Sequence, residues 1–462
     1  MAYDFDYFVI GGGSGGVRSA RIAAKNGAKV AVAEDHDMGG TCVNRGCVPK
    51  KFMVFAGQFR RMFQDAADYG WKHSGKSPGF DWPSLRDKVA AETQRLSGLY
   101  QKGLDGVEAT VFHAHAKITG PHEVEVDGKT VTAKHILIAV GGEPFMPEIP
   151  GIDHAISSDE IFHLKEFPKR LVVNGAGYIG LEFASIFNAL GSEVTVVYRG
   201  SEVLRGFDHD LRHQLCTDLA EAGISFRFNE NITELEEQKN GLKVHLTDGK
   251  SLEADQVLFA IGRRPRVEGL GLDTAGVMTD DKGAIIVNEG YQTSVPSIYA
   301  VGDVTNRANL TPVAIREGHW LADQLFGEGG NNRLDYAMVT TAVFTTPELG
   351  TVGLSEEDAI TAAYELDIYR TKFRSMRYAF SDNKPYTMMK LVVDKASRRV
   401  LGAHMLGENA GEIIQTLAVA ITMDATKEQV DATVALHPTV AEEFVTMREP
   451  AASTLSAKQA AE

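Results

Sequence analysis

The stretch GGTCVNRGCVPKK, residues 39–51, holds two of the chain's three cysteines, with four residues between them and a proline and two lysines just beyond. Thiols so placed can serve as a crosslink, as half of a metal site or as a pair that carries electrons. In an ideal α-helix, rise and radius set Cα atoms five residues apart roughly 8–9 Å from each other, beyond the ~7 Å reach of a disulfide. A bridge between Cys42 and Cys47 therefore requires a distorted turn, which Gly46 and Pro49 allow, and the small ring it closes should be easy to reduce. Lys50 lies three residues after Cys47, on the same helical face, where its charge and a helix N-terminus favour a thiolate. A metal site wants a second ligand pair nearby, whereas Cys216 stands alone in an amphipathic stretch as a core residue; no metal is expected.

Two glycine-rich turns must supply whatever electrons the thiols carry. An apolar run ending at Ile10 leads into Gly11, Gly13, Ser14, Gly15 and Gly16, then a helix-like VRSARIAAKNG, then a second apolar run, KVAVAE. The order returns at RLVVNGAGYIG, with Gly175, Ala176, Gly177, Ile179 and Gly180, followed by LEFASIFNALG and SEVTVVYRG. In such a βαβ unit the first glycine turns the chain and the second lets backbone approach a pyrophosphate. The third lets helix and strand pack closely, while the helix N-terminus faces the phosphate charge. A lone match is weak, but two copies in the same strand–turn–helix context make an internal repeat of a nucleotide-binding unit.

The residues that close the second strand of each unit differ in charge. Glu34 stands eighteen residues after Gly16, placed to hydrogen-bond a free ribose hydroxyl. Tyr198 stands eighteen after Gly180, followed by Arg199 and Arg205, which offer a 2′-phosphate charge-assisted hydrogen bonds. The first unit thus reads as a site for FAD or NAD and the second as a site for NADP. Gly180 points mildly the other way, being more typical of NAD units.

The elements that position these loops read as an α/β chain. Strand-like segments end in HILIAVGG and QVLFAIG, and PFMPEIPG supplies a Pro-rich joint. LTPVAIREGHWLADQLFG reads as a helix, and from about residue 337 the texture changes to strands and helices without a glycine fingerprint. With 462 residues, 44% hydrophobic and 24% charged, several packed cores are expected. A net charge of -15 argues against a general nucleic-acid binder. No apolar run approaches the ~20 residues of a membrane span, and the N-terminus carries no secretory signal, so a cytoplasmic location is expected.

Together GGGSGG, GGTCVNRGCVPKK, GAGYIGLEFA, VGDV with LTPVAI, and ALHPTVAEEFVT resemble the class I pyridine nucleotide-disulfide oxidoreductases, in family order from residue 4 to about 450. The resemblance implies two Rossmann-like dinucleotide-binding domains and a C-terminal α+β dimerisation domain. Its boundaries would be 1–143 for FAD, 144–264 for NADPH, 265–336 for a central domain completing the FAD site, 337–450 for the interface and 451–462 for a flexible tail. Glu34, Thr41, Ala116, Gly142, Asp303 and Thr311 would line FAD. Gly262 and Glu182 would join the NADP set. Cys47 would face the flavin and Cys42 the substrate, Lys50 would pair with Glu182, and Tyr178 would cover the nicotinamide pocket. His437, oriented by Glu442, would act as acid and base on the partner subunit's site, which makes an obligate homodimer part of the mechanism.

Within the family, a branch acting on dihydrolipoamide keeps an acid where Tyr198 and Arg199 stand. The branch acting on cationic trypanothione has Glu and Trp at the positions of Arg18 and Arg21. Those two arginines on one helical face suit an anionic substrate, so the resemblance implies glutathione disulfide, with Tyr100 near its site. Two positions depart from the pattern: His319, where many members have a substrate-binding Arg, and Gly103, where some have Asn.

Overall fold

The computed structural model describes residues 3–72, 78–330, 333–381 and 384–452. From residue 453 on, the frayed tail expected at 451–462 lies outside the described residues.

The first glycine turn connects β1 (Phe5–Ile10) to α1 (Ser14–Lys25), and β2 (Val30–Ala33) completes the unit. There follow α2 (Gly40–Asn44), α3 (Cys47–Asp65), α4 (Trp82–Asp105), β3 (Thr110–Phe112), β4 (Ala116–Gly120), β5 (Glu123–Val126) and β6 (Lys129–Ile138). β1 lies between parallel β2 and β6, with Ile10 opposite both Ala33 and Ile138. β3 extends β2 in parallel, while β4, β5 and β6 form an antiparallel meander. Val30–Ala33 and all but one residue of β1 are buried, as strands covered on both faces must be.

The repeat seen in the sequence is a repeat in space. β7 (Gly142–Pro144) leads to β8 (Arg170–Asn174), α5 (Tyr178–Leu190) and β9 (Glu193–Tyr198). Then come α6 (His209–Glu221), β10 (Ser225–Phe228), β11 (Ile232–Gln238), β12 (Gly241–Leu246), β13 (Ser251–Ala254), β14 (Gln256–Phe259) and β15 (Arg263–Pro265). The parallel sheet runs β10-β9-β8-β14, and β11, β12 and β13 form a second antiparallel meander. β7 and β15 pair antiparallel, tying the end of each half to the other.

The next segment, α7 (Leu272–Ala275), β16 (Ile298–Ala300) and α8 (Thr311–Phe326), returns to the first sheet, where β16 pairs in parallel with β6. α8 crosses α1 closely enough that a Cβ on Gly318 would meet the Gly15 carbonyl at 2.5 Å. The remaining chain holds β17 (Thr341–Val343), β18 (Glu348–Gly353), α9 (Glu356–Thr361), β19 (Leu366–Arg374), β20 (Tyr386–Asp394) and β21 (Val400–Gly407). After them come α10 (Ala410–Thr422), α11 (Lys427–Ala432) and α12 (Glu443–Thr446). These strands form an antiparallel sheet in the order β17-β18-β21-β20-β19. α10 packs on it through Ala410, Ile414 and Ala418, against a core that includes Met389, Leu391 and Met405.

Candidate functional site

The cysteine pair sits at the break that its spacing demands. α2 ends at Asn44, Gly46 takes φ -152° and ψ -118°, and α3 starts at Cys47. A Cβ on Gly46 would stand 2.8 Å from the Thr41 carbonyl, so glycine lets the chain fold back there. Both cysteines are free, with their sulfurs within hydrogen-bonding reach of each other.

The two sulfurs have opposite acid–base character. A hydrogen bond from Cys42 lowers the Cys47 thiol to about 6; Thr311 and the Lys50 ammonium work the same way and burial works against them. Cys47 Sγ lies 3.5 Å from Thr311 Oγ1 at the start of α8. The same thiol–thiol hydrogen bond, with burial, raises Cys42 well above the ordinary thiol range. In the dithiol the negative charge therefore rests on Cys47 and the proton on Cys42.

One turn along α3, Lys50 Nζ lies 2.7 Å from Glu182 Oε1 of α5, with both side chains nearly buried. The Phe344 N–H donates to the same oxygen at 2.8 Å, and the Phe344 ring lies 4.2 Å from Lys50 Nζ and 3.8 Å from Lys51 Nζ. The ion pair thus joins the cysteine helix, the second βαβ unit and the C-terminal segment.

A cavity of about 770 Å³ runs from this point to the first glycine loop. Gly11, Gly13, Ser14, Gly15, Glu34, Thr41, Ala116, Gly142, Asp303 and Thr311 line it, as do Cys42, Cys47, Lys50, Tyr178, Ile179 and Glu182. Glu34 accepts hydrogen bonds from the Gly12 N–H at 2.7 Å and the His36 N–H at 2.9 Å, and burial raises its carboxyl. Burial likewise raises Asp303 and pushes Tyr178 up to about 12.

The glycines separate into two kinds. A Cβ would meet a carbonyl oxygen at 2.4 Å on Gly11, 2.0 Å on Gly16, and 2.3 Å on both Gly175 and Gly180, so the fold itself requires these four. Gly180 thus packs helix against strand, as expected of the third glycine. The middle glycines differ: on Gly13 a Cβ would have no neighbour closer than 3.9 Å, and on Gly177 none within 4 Å. The protein has room for side chains there, and a ligand's close approach is what excludes them. Neither α1 nor α5 has a side-chain cap, and Ser14 Oγ is buried beside the Tyr100 hydroxyl. Open first-turn N–H groups beside a hydroxyl suit a phosphate.

Arg199 and Arg205 are exposed after β9, and neither has an ion-pair or hydrogen-bond partner among the described residues. Ala176 lies buried between its two glycines. Arg18 and Arg21 are exposed on α1, and the Arg21 guanidinium lies about 3.5 Å from where a Gly103 Cβ would stand, so the absence of a side chain at Gly103 leaves it room. Tyr100 is half-buried near Ser14, Arg18 and Cys42, and burial raises its phenol. His319 pairs with Asp323 on its own helix at 3.4 Å.

His437 does not join the cysteines of its own chain. It lies outside the cavity lining, its side chain is 80% exposed, and its Nδ1 lies 3.0 Å from Glu442 Oε1. Val434 and Leu436 beside it, Val419 on α10 and Met423 just after it are also exposed.

The sequence reading missed Arg45, Asp159 and Arg263, which line the same cavity. Asp159 lies 3.9 Å from Arg45 and 3.8 Å from Arg263, and Arg263 donates to the Gly142 carbonyl at 2.5 Å. Arg45 sits between the cysteines and Arg263 follows Gly262, so adjacency to those motifs was the available signal.

A two-sheet dinucleotide architecture around a thiol pair defines a class of protein, and comparison with known families agrees. Residues 5–318 match the pyridine nucleotide-disulphide oxidoreductase family, and residues 339–448 match the dimerisation domain of that family. The chain belongs to the pyridine nucleotide-disulphide oxidoreductases. It is 49% identical over 446 residues to a glutathione reductase of Burkholderia cepacia, covering 96% of this chain and 99% of that one. It is 48% identical over 464 residues to a glutathione reductase of Nostoc sp., covering 97% and 100%. It is also 44% identical over 459 residues to the chloroplastic/mitochondrial glutathione reductase of Pisum sativum, covering 97% and 83%. No helix among the described residues is long and apolar enough to cross a membrane.

Proposed function

We propose that this chain is an NADPH-dependent glutathione-disulfide reductase that uses FAD and the Cys42/Cys47 couple. The observation that carries the reading is the thiol pair itself: it straddles a helix break, is polarised so that one sulfur is a thiolate, and lines a cavity that reaches the first glycine loop. Near full-length likeness to three glutathione reductases supports the substrate.

The residues fit the two cofactors. The uncapped start of α1 with the Ser14 hydroxyl suits the FAD pyrophosphate, Glu34 its adenosine ribose, and Thr41, Ala116, Gly142, Asp303 and Thr311 the rest of its length. The start of α5, with Gly177 and Gly262 open, suits the nicotinamide nucleotide, and the unpaired Arg199 and Arg205 suit its 2′-phosphate. When bound, FAD supplies the link that accepts hydride from NADPH and delivers two electrons to the cysteine pair. We assign these cofactors to residues 1–143, completed by 265–336, and to residues 144–264.

Each protein group then has a task. Lys50 and Thr311 stabilise the Cys47 thiolate, and Glu182 holds Lys50 in place. Tyr178 covers the nicotinamide side of the cavity. Cys42 holds the proton in the resting dithiol and must lose it to attack a substrate sulfur. Thiolate attack forms a mixed disulfide and expels one glutathione thiolate, which takes up a proton; Cys47 then attacks Cys42, restores the protein disulfide and releases the second glutathione. His437 is the acid and base for both proton transfers and Glu442 orients its Nδ1. Because His437 is exposed and away from its own cysteines, it serves the partner subunit's pair in a homodimer built on residues 337–450. Arg18, Arg21 and Tyr100 receive the substrate's carboxylates beside Cys42. A cytoplasmic setting keeps the couple poised for reduction.

Steady-state assays test the reading. NADPH with glutathione disulfide should be turned over far faster than NAD with dihydrolipoamide or NADPH with trypanothione disulfide. Faster turnover of either alternative would move the chain to that branch. Cys47→Ser should abolish turnover; unchanged activity would leave the cysteines as inert thiols on a nucleotide-binding scaffold.

A further inference from the structure

The buried charges of the molecule gather away from the cavity. Lys390 on β20 is fully buried, with its Nζ 2.8 Å from Asp208, 2.7 Å from Asp210 and 2.6 Å from Glu356. Arg370 on β19 adds a second cation, 2.8 Å from Asp210. Although burial works to lower it, the three carboxylates hold the Lys390 ammonium above its ordinary range. Such a cluster is a poor way to gain stability, since apolar residues of similar volume do as well or better; what it adds is fixed geometry.

What it fixes is the loop that carries Arg199 and Arg205. The loop leaves β9 at Tyr198 and enters α6 at His209. At its middle, Val203 and Leu204 are buried, and the Leu204 N–H donates at 2.9 Å to the carbonyl of Ala176, between the two glycines of the nucleotide turn. Leu204 has φ +50°, a left-handed conformation that costs a non-glycine residue about 1–2 kcal/mol and needs surrounding structure to hold it. At the loop's end, buried Asp208 caps α6 by accepting from the Asp210 N–H at 3.2 Å. Its other oxygen accepts from the Glu356 N–H at 3.2 Å and lies 2.8 Å from Lys390. Arg205 and Gly206 are the exposed span between these two anchors. A second tie runs alongside: Glu202 of the loop lies 3.0 Å from Arg212 of α6, which reaches Glu357 of α9 at 3.9 Å.

We propose that the Lys390 cluster, built from the C-terminal sheet, holds loop 199–208 in the shape that presents Arg199 and Arg205 to a 2′-phosphate, making Lys390 and Asp208 positioning residues for NADPH selectivity. The inference rests on the assignment of those arginines to the 2′-phosphate. The nucleotide unit does not shape its own specificity loop alone; the C-terminal domain holds one end of it.

The test uses the FAD-loaded full chain with NADPH and NADH. Asp208→Asn keeps a helix-capping side chain and removes the charge that meets Lys390. Lys390→Met combined with Glu356→Gln removes a cation and an anion together, so that the variant still folds if the first does not. Both should raise KM for NADPH about tenfold, the equivalent of ~1.4 kcal/mol. KM for glutathione disulfide, kcat at saturating NADPH and kcat/KM with NADH should stay within about twofold, a split that general loosening would not produce. An equal loss with NADPH and NADH, or no change in KM for NADPH in either variant, would overturn the proposal. The arginine assignment is checked separately with Arg199→Ala/Arg205→Ala: if that variant keeps the wild-type NADPH preference, the assignment fails and the proposal with it. If it loses the preference while the Lys390 and Asp208 variants keep theirs, only the cluster's role is refuted.

Discussion

The two βαβ units share one backbone solution and differ in how they meet the sugar end of a nucleotide. Around the glycines they nearly superimpose in logic: first and third glycines press on carbonyl oxygens, and the middle one faces open space. At the second strand they part. The first unit ends in buried Glu34, held by two backbone N–H groups. The second ends in two exposed guanidiniums with no partner among the described residues. A preorganised, buried acceptor suits a cofactor that stays, and solvated arginines suit one that enters and leaves each turnover, because their charge is screened and quickly exchanged. On the proposed assignment, one fold makes a permanent site and a transit site by changing what lies beyond the strand.

The sharpest way to break the shared part is to add one methyl group. Gly16→Ala would put a Cβ 2.0 Å from the Gly11 carbonyl, and several kcal/mol of backbone displacement should follow, lowering the melting temperature by about 10 °C with loss of bound flavin. Gly177→Ala meets no protein atom within 4 Å, so it should keep both the melting temperature and the flavin while weakening NADPH binding. Calorimetry and flavin absorbance separate the two; similar behaviour would mean that both glycines serve packing. The differing part breaks next: Arg199→Ala/Arg205→Ala removes two charge-assisted hydrogen bonds, each worth about 1.5–3 kcal/mol. kcat/KM with NADPH should fall about a hundredfold while that with NADH holds, and equal losses would return both arginines to the surface.

How much of this was legible depended on whether the cause was local. The glycine turns, the helix break at Gly46 and the strands ending at Ile138 and Phe259 each follow from residues within one element or turn, so spacing and composition revealed them. Asp159 and Arg263 reach the cavity from parts of the chain far from the cysteines, and Lys390 reaches Asp208 across 182 residues. A lysine in MMKLVVD reads as an interruption of a strand until the sheet brings three carboxylates to it. β16 was equally hidden: three residues, Ile298–Ala300, gain strand identity only by pairing with β6.

A smaller effect probes the permanent site. Glu34→Gln keeps one oxygen but turns an amide N–H₂ toward one of the backbone donors it now accepts from, at a cost of about 1–3 kcal/mol. The flavin should dissociate about tenfold more readily, measured by fluorescence on dilution, and the melting temperature should recover on adding FAD. Unchanged retention would remove Glu34 from the cofactor site and weaken the contrast with Arg199 and Arg205.

The last probe lies where the units meet, at Lys50 and Glu182. Cys47 is held at about 6, below an ordinary thiol, so its thiolate adds stability that is present above the unfolded value and lost as pH falls through about 6. In the reduced protein, alkylation of Cys47 by iodoacetamide should rise with a midpoint near pH 6, followed by peptide mass spectrometry, while Cys42 stays slow. Lys50→Met removes one of the three influences that lower it, after the Cys42 hydrogen bond and Thr311, so the midpoint should move up by about one unit, roughly 1.4 kcal/mol. Glu182→Gln should move it the other way by less, because Glu182 itself raises Cys47 while it holds Lys50 in place. A midpoint indifferent to both variants would mean that the thiolate owes its charge to the Cys42 and Thr311 hydrogen bonds alone, and that the pair joining the two units has a mechanical role and not an electrostatic one.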